Sequence, residues 1–201
     1  MIRTCKSFYL IYLIPVLGSL LFAGGCFLPE STHVEPDYFL LTAEGKESNQ
    51  TENKINQSFY LREIELPRYL RDSRMIRRPT PETIEFRESK RWGEPLEDGI
   101  ARVLSQNLSD QLGGAHFSIF PNRRKEQLKW DLSVSFARFE IIDGGRLAIE
   151  ATWVQRDGPK QKSTGSLDLL VDVEGEAGIT EEVQAHSTAL AILASRIADD
   201  L

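Results

Sequence analysis

The 201-residue chain has little of what most reactive sites are built from: two cysteines, three histidines and two methionines. Both cysteines, Cys5 and Cys26, fall within the first 26 residues. Everything after Cys26 must therefore fold without a disulfide, a thiolate metal site or a cysteine nucleophile. His33, His116 and His186 stand far apart, with no His-x-x-x-His pair to share a metal. His33 and His116 are expected in solvent, and His186 as a packing residue at the edge of a helix. Gly-x-Ser-x-Gly elbows, Walker-type loops and dinucleotide fingerprints are absent, as are internal repeats and heptad runs. An enzyme is not supported.

Positive charge is also short. Lys and Arg number 24 against 30 Asp and Glu, a net charge of −6. That balance argues against a nucleic-acid partner, whose phosphates it would repel, and against wholesale adhesion to anionic headgroups. The one long apolar run, Phe8 to Phe22, is interrupted by Pro15 and Gly18 and soon meets small residues. It is too short for a good stop-transfer helix and reads as the core of an export signal.

What is present at the N-terminus supports that reading. Arg3 and Lys6 precede the apolar run, no acidic residue comes before Cys26, and Ala23-Gly24-Gly25-Cys26 fits a bacterial lipobox. The expected organisation is a lipoprotein signal at 1–25, a tether at 26–36 and a folded domain at 37–201. Cys26 is expected to carry diacylglycerol and an N-acyl chain, with no other cofactor and no metal. Several chains together anchor stably, since each buried CH₂ contributes about 0.8 kcal/mol. Phe27 stands where an inner-membrane retention aspartate is usual, which points to the periplasmic face of the outer membrane. The alternatives are an ordinary secretory signal cleaved near Gly25 and an uncleaved N-terminal anchor.

The domain reads as strands, helix, strands, helix. Tyr38–Leu41 and Phe59–Leu66 are predicted strands, the second ended by Pro67. Ala43–Gln57 is predicted as a solvated loop, and Met75–Arg78 with Thr83–Arg87 as a short hairpin. Leu96, Ile100, Val103, Leu104, Leu108 and Leu112 form a helical stripe. Pro95 takes its first position, Glu97 and Asp98 complement its dipole, and Gly113-Gly114 closes it. Trp130 to Phe136 alternate, then the phase slips to Phe139 and Ile141, which requires a bulge near Ala137. Asp143-Gly144-Gly145 and Asp157-Gly158-Pro159 turn the chain twice more into a three-stranded antiparallel meander. Thr180 is predicted to cap a last helix, with Glu181-Glu182 as dipole compensation and Val183, Leu190, Leu193, Ile197 and Leu201 as its stripe. Arg123-Arg124-Lys125 is predicted as a solvated loop. The fold class is α/β or α+β: one domain, with one mixed sheet packed by two main helices.

Several blocks resemble a known family. They are Tyr38-Phe39-Leu40-Leu41, Leu66-Pro67-Arg68-Tyr69-Leu70-Arg71-Asp72, Ile76-Arg77-Arg78, Arg91-Trp92-Gly93-Glu94-Pro95-Leu96 and Ile100-Ala101-Arg102-Val103-Leu104 with Asn107-Leu108. Together they are similar to the ABC-type transport auxiliary lipoproteins, the family found in paraquat-inducible (Pqi) operons. Asp72-Ser73-Arg74 departs from the usual Asp-Arg-Pro turn, and Gly93 stands for a common alanine. The resemblance implies a non-catalytic outer-membrane subunit of an intermembrane lipid transport system. Its partner would be an MCE-domain tunnel protein of an inner-membrane complex, and it would assemble as a ring-shaped homo-oligomer. Tyr69, Arg71, Arg77, Arg91, Trp92 and Glu94 are the expected docking residues, with a role in the turn and helix entrance as the competing reading. Other readings of the chain are a structural or assembly lipoprotein of another outer-membrane machine, and a periplasmic lipid-binding module.

Overall fold

Alternation of apolar and polar residues dictates the centre of the molecule, as seen in a computed structural model that describes residues 34–45, 58–124, 128, 130–173 and 178–201. The expected signal, Cys26, His33 and most of the expected tether lie outside those residues, as does 46–57 of the expected loop. The chain divides into units at Met1–Val34 and Glu35–Leu201, and the second holds all of the described strands and helices. Its elements are β1 (Asp37–Phe39), β2 (Ser58–Leu61), a 3-10 helix (Arg68–Arg71), β3 (Arg74–Thr80), β4 (Thr83–Trp92) and α1 (Leu96–Gln111). After these come β5 (His116–Ile119), β6 (Trp130–Ile142), β7 (Arg146–Asp157), β8 (Lys160–Asp172) and α2 (Ile179–Asp200).

β6, β7 and β8 form the antiparallel meander. Pairing of β6 with β7 shifts between Phe136 and Arg138, leaving Ala137 without a partner. This bulge carries the apolar face from even to odd positions, so that Leu132, Val134, Phe136, Phe139 and Ile141 are all at most 3% exposed. Gly144 and Gly145, at φ 82° and 69°, make the tight turn that an L side chain would strain.

The opposite edge of β6 is covered in a less obvious way. β2 runs parallel to its start (Phe59↔Trp130 to Leu61↔Leu132), and β3 runs parallel to its end (Arg77↔Ile141, Arg78↔Ile142). A bridge between Glu65 and Ser135 lies between them. Residues 58–78 thus act as one interrupted strand, broken where Pro67 cannot donate and the 3-10 helix begins. β4 pairs antiparallel with β3, β1 parallel with β4, and β5 parallel with β2, completing an eight-stranded mixed sheet. β5 was not expected from the sequence; it is four residues long and begins one residue after the glycine pair.

α1 and α2 pack on each other, and α2 also lies against β7 and β8. Leu96, Ile100, Val103, Leu104 and Leu108 of α1 are at most 4% exposed, as are Ala185, Ala189, Leu190, Leu193, Ala194 and Ile197 of α2. Each fully buried Leu or Ile contributes about 1.5–3 kcal/mol. Pro95 precedes α1 rather than opening it. α2 begins one residue before Thr180, because the Gly178 carbonyl already accepts the Glu182 N–H at 3.1 Å. Thr180 therefore sits inside the first turn and caps nothing. Trp153 spans β8 at Gly165, its register partner, and donates from Nε1 to Asp200 Oδ2 at 3.0 Å. A Cβ on Gly165 would lie 2.2 Å from Trp153 Cζ2, so this position needs glycine for close approach.

Candidate functional site

Charge is unevenly placed along this acidic chain. From Arg68 to Trp92 there are eight basic side chains and only four acidic ones. This stretch forms the 3-10 helix and the β3–β4 hairpin, so positive charge gathers on one arm of the sheet.

Beside the tip of that arm is an open cleft of about 480 Å³, lined by Tyr69, Arg78, Pro79, Thr80, Pro81, Ala137, Arg138, Ile142 and Asp143. The bulge at Ala137 forms part of its wall. Glu140 lies behind it with a side chain that is 0% exposed. Its Oε1 accepts from Arg78 Nε at 2.8 Å and from Arg138 Nε at 3.3 Å. Its Oε2 accepts from the Tyr69 hydroxyl at 3.0 Å and from the Phe139 N–H at 2.9 Å. Four donors on one buried carboxylate satisfy it and fix the three side chains that line the cleft. Burial, followed by the negative charge of Glu140, raises the Tyr69 pKa above the ordinary phenol value, so the hydroxyl stays a donor. The Arg78 guanidinium lies 5.2 Å from the Tyr69 ring centre. The cleft presents donors and cations but no nucleophile paired with a base.

At the base of the same hairpin, Tyr38 of β1 is the register partner of Arg91 of β4, which in turn faces Arg74 of β3. Tyr38 is 64% exposed and Leu40 53%. Arg74 lies over the exposed Phe86 ring, 4.4 Å from its centre, and bonds Asp72 and Glu88. Those bonds hold the Asp72 carboxyl down at about 2. Arg91 forms no ion pair among the described residues, and its buried Nε has no partner there.

The expected docking residues thus separate. Tyr69 lines the cleft. Arg71 is exposed and donates from Nε to the Leu66 carbonyl at 3.3 Å. Arg77 is half-buried on β3 with an Nε that has no partner among the described residues, and Arg91 sits at the base. Trp92 is inside, 7% exposed, and meets the His186 ring edge-on at 5.3 Å. Glu94 binds Arg102 of α1 and lies over Gly99. Trp92 holds the hairpin base to α2 and Glu94 holds it to α1, rather than serving as free outward-facing groups.

Several residues behave differently from the sequence expectation. His186 is not at a helix edge: it is 3% exposed, wedged between Trp92 and Phe139, with ring centres 4.9 Å apart for the second pair. Its Nδ1–H donates to the Glu182 carbonyl at 2.7 Å, and burial lowers its pKa to about 4. Glu182 does more than complement a dipole, since its nearly buried carboxylate pairs with Arg87 at 2.7 Å. Arg124 is not merely solvated; with Arg62 it clamps Asp131, whose side chain is 4% exposed, at 2.7 and 2.6 Å. Asp131 and Glu140 occupy polar positions of an alternating strand, where nothing in the pattern reports burial. Only the apolar neighbours of Glu140, Phe139 and Ile141, gave a signal. Among the described residues no cluster of potential metal ligands occurs, and no helix is long and apolar enough to cross a membrane.

No protein of curated function matches the sequence. Solved structures do share the fold. A crystal structure of an uncharacterised protein superposes with a TM-score of 0.70 at 17% identity, covering 83% of this chain and 99% of that one. A Xanthomonas campestris protein of the DUF330 family gives 0.66 at 13% identity, covering 81% and 92%. The model of one sequence family spans residues 38–198, nearly all of the domain that holds the sheet and the basic arm. The chain belongs to the family of the ABC-type transport auxiliary lipoprotein component.

Proposed function

We propose that this protein is a non-catalytic docking subunit of an intermembrane lipid transport system, held at the periplasmic face of the outer membrane by acyl chains on Cys26. It receives the far end of an MCE-type tunnel reaching from an inner-membrane complex, as a ring of identical subunits. The observation that carries this reading is the family match over residues 38–198, joined to a donor-rich cleft that lacks reactive groups. Arg71 and Arg77 offer guanidinium donors to the tunnel, while Tyr69, bonded to Glu140, shapes the cleft and Trp92 and Glu94 keep the arm in place. Anchoring supports weak docking, because confinement near the target raises effective concentration without new contacts.

A docking role is favoured over carrying lipid inside the domain. The void enclosed beneath Trp92, His186 and Phe139 holds about 10 Å³, far short of an acyl chain, and the larger clefts, of about 480 to 610 Å³, are open to solvent with partly polar walls. Affinity capture from mildly solubilised envelopes tests the proposal, with Arg71→Glu and Arg77→Glu as the comparison. Wild-type chain should recover an MCE-domain protein that the folded double variant loses. Recovery only of an unrelated outer-membrane machine would overturn it.

A further inference from the structure

We infer that the base of the β3–β4 hairpin is a second, separate contact surface that seats on anionic phospholipid headgroups beside the anchor. The inference rests on the anchoring of Cys26 proposed above. Three observations converge on it. Tyr38 on the edge strand β1 and Leu40 just after it are more than half exposed, an unusual place for large apolar side chains to be left in water. Arg91 registers with Tyr38 and has no ion pair among the described residues, whereas Arg74 across from it is engaged by Asp72 and Glu88 and Lys90 beside it by Asp37, so Arg91 is the cation that the base offers to phosphate. Tyrosine and leucine next to arginine is the composition of a membrane interface, where a ring or alkyl group enters the headgroup layer and a guanidinium meets phosphate.

Position names the occupant. Tyr38 lies twelve residues from Cys26, so the fully extended chain between them spans at most about 40 Å. This strand is the first part of the folded domain after the anchor, and the lipid surface is what the anchor brings to it. Charge then orients the domain. The arm from Arg68 to Trp92 is net basic while the chain as a whole carries −6. An anionic surface attracts the arm and repels the remainder. Each basic group near such a surface strengthens binding about fivefold. Arg78 lies four residues beyond Arg74 on β3, about 13 Å at ~3.3 Å per residue, so the cleft at the tip stays free for a protein partner while the base meets lipid.

Hydrogen exchange of the full acylated chain tests this, on vesicles of phosphatidylcholine alone and of phosphatidylcholine with one quarter phosphatidylglycerol. Intact mass first establishes acylation, so a missing anchor is distinguished from a missing contact. The expected result is exchange at Asp37–Leu41 slowed at least fivefold on the anionic vesicles relative to the neutral ones, with β6 and β7 unchanged. Arg91→Glu should remove that difference. Tyr38→Ser with Leu40→Ser, at positions too exposed to govern folding, should reduce protection on both vesicles. Equal exchange on the two vesicle types would overturn the inference. So would protection that follows protein density rather than lipid charge, which would assign the surface to a second copy of the chain. Tunnel capture can fail or succeed independently of either outcome.

Discussion

Mild acid should weaken this fold through one side chain. His186 is buried, and its folded pKa is lowered to about 4 against an ordinary 6.5. Between those values the unfolded chain binds a proton that the folded chain refuses. The stability that His186 contributes as a neutral ring is therefore complete above pH 6.5 and is lost as pH falls toward 4. A shift of this size corresponds to about 3 kcal/mol in full, and about 2 kcal/mol is already lost at pH 5. For a domain of this size that is a fall of roughly 4–8 °C in melting temperature. At pH 5 most carboxylates are still ionised, so the histidine dominates the change. Denaturant midpoints at pH 7.5 and 5 should be compared for the wild type and for His186→Phe, which keeps an aromatic ring between Trp92 and Phe139. The variant forfeits the Nδ1–H bond to Glu182 at both pH values, so only its pH dependence matters. Equal losses between the two pH values in both proteins would refute the reasoning.

Gly165→Ala should destabilise the domain by about 1–3 kcal/mol, because its Cβ would meet Trp153 Cζ2 at 2.2 Å and Asp200 Oδ2 at 2.6 Å. Thermal unfolding checks it, and Trp153→Phe in the same chain should recover part of the loss. Glu140→Ala should cost about 3 kcal/mol by leaving two arginines and a tyrosine hydroxyl without their acceptor, whereas Glu140→Gln keeps the shape and should cost less. Equal midpoints for the two variants would mean that the carboxylate does not organise the cleft. Cys26→Ser should abolish fatty-acid labelling and move the chain out of the outer-membrane fraction; an unchanged intact mass would refute acylation at that residue.

The parts of the fold written in local periodicity were legible in the sequence. The phase slip from Phe136 to Phe139 announced the bulge at Ala137, and the three-and-four spacing from Leu96 to Leu108 announced α1. The glycine pairs marked both the end of that helix and the hairpin turn. What depends on distant partners was not legible. β5 is too short to show a period, and its place beside β2 is set by parallel pairing across more than fifty residues. The burial of His186 depends on Trp92 and Phe139 converging from two different strands. Asp131 and Glu140 read as surface positions because alternation describes a strand's two faces, not what later covers them. The docking block was legible as a block. That Trp92 turns inward while Tyr69 lines a cleft follows from packing that the motif does not encode.

The interrupted strand along β6 has a consequence for how the chain reaches its native state. One edge of residues 58–78 is closed only by residues 130–142, more than sixty positions later. The first half of the domain cannot close its sheet until the second half has emerged, and closing so long a loop is entropically costly. Helix α1, the β3–β4 hairpin and the β6–β8 meander, built from near neighbours, can form early, while the joining of the basic arm to β6 must wait. The surface that carries the donors is then the final part of the domain to become complete, so a partner that recognises it also recognises a finished fold.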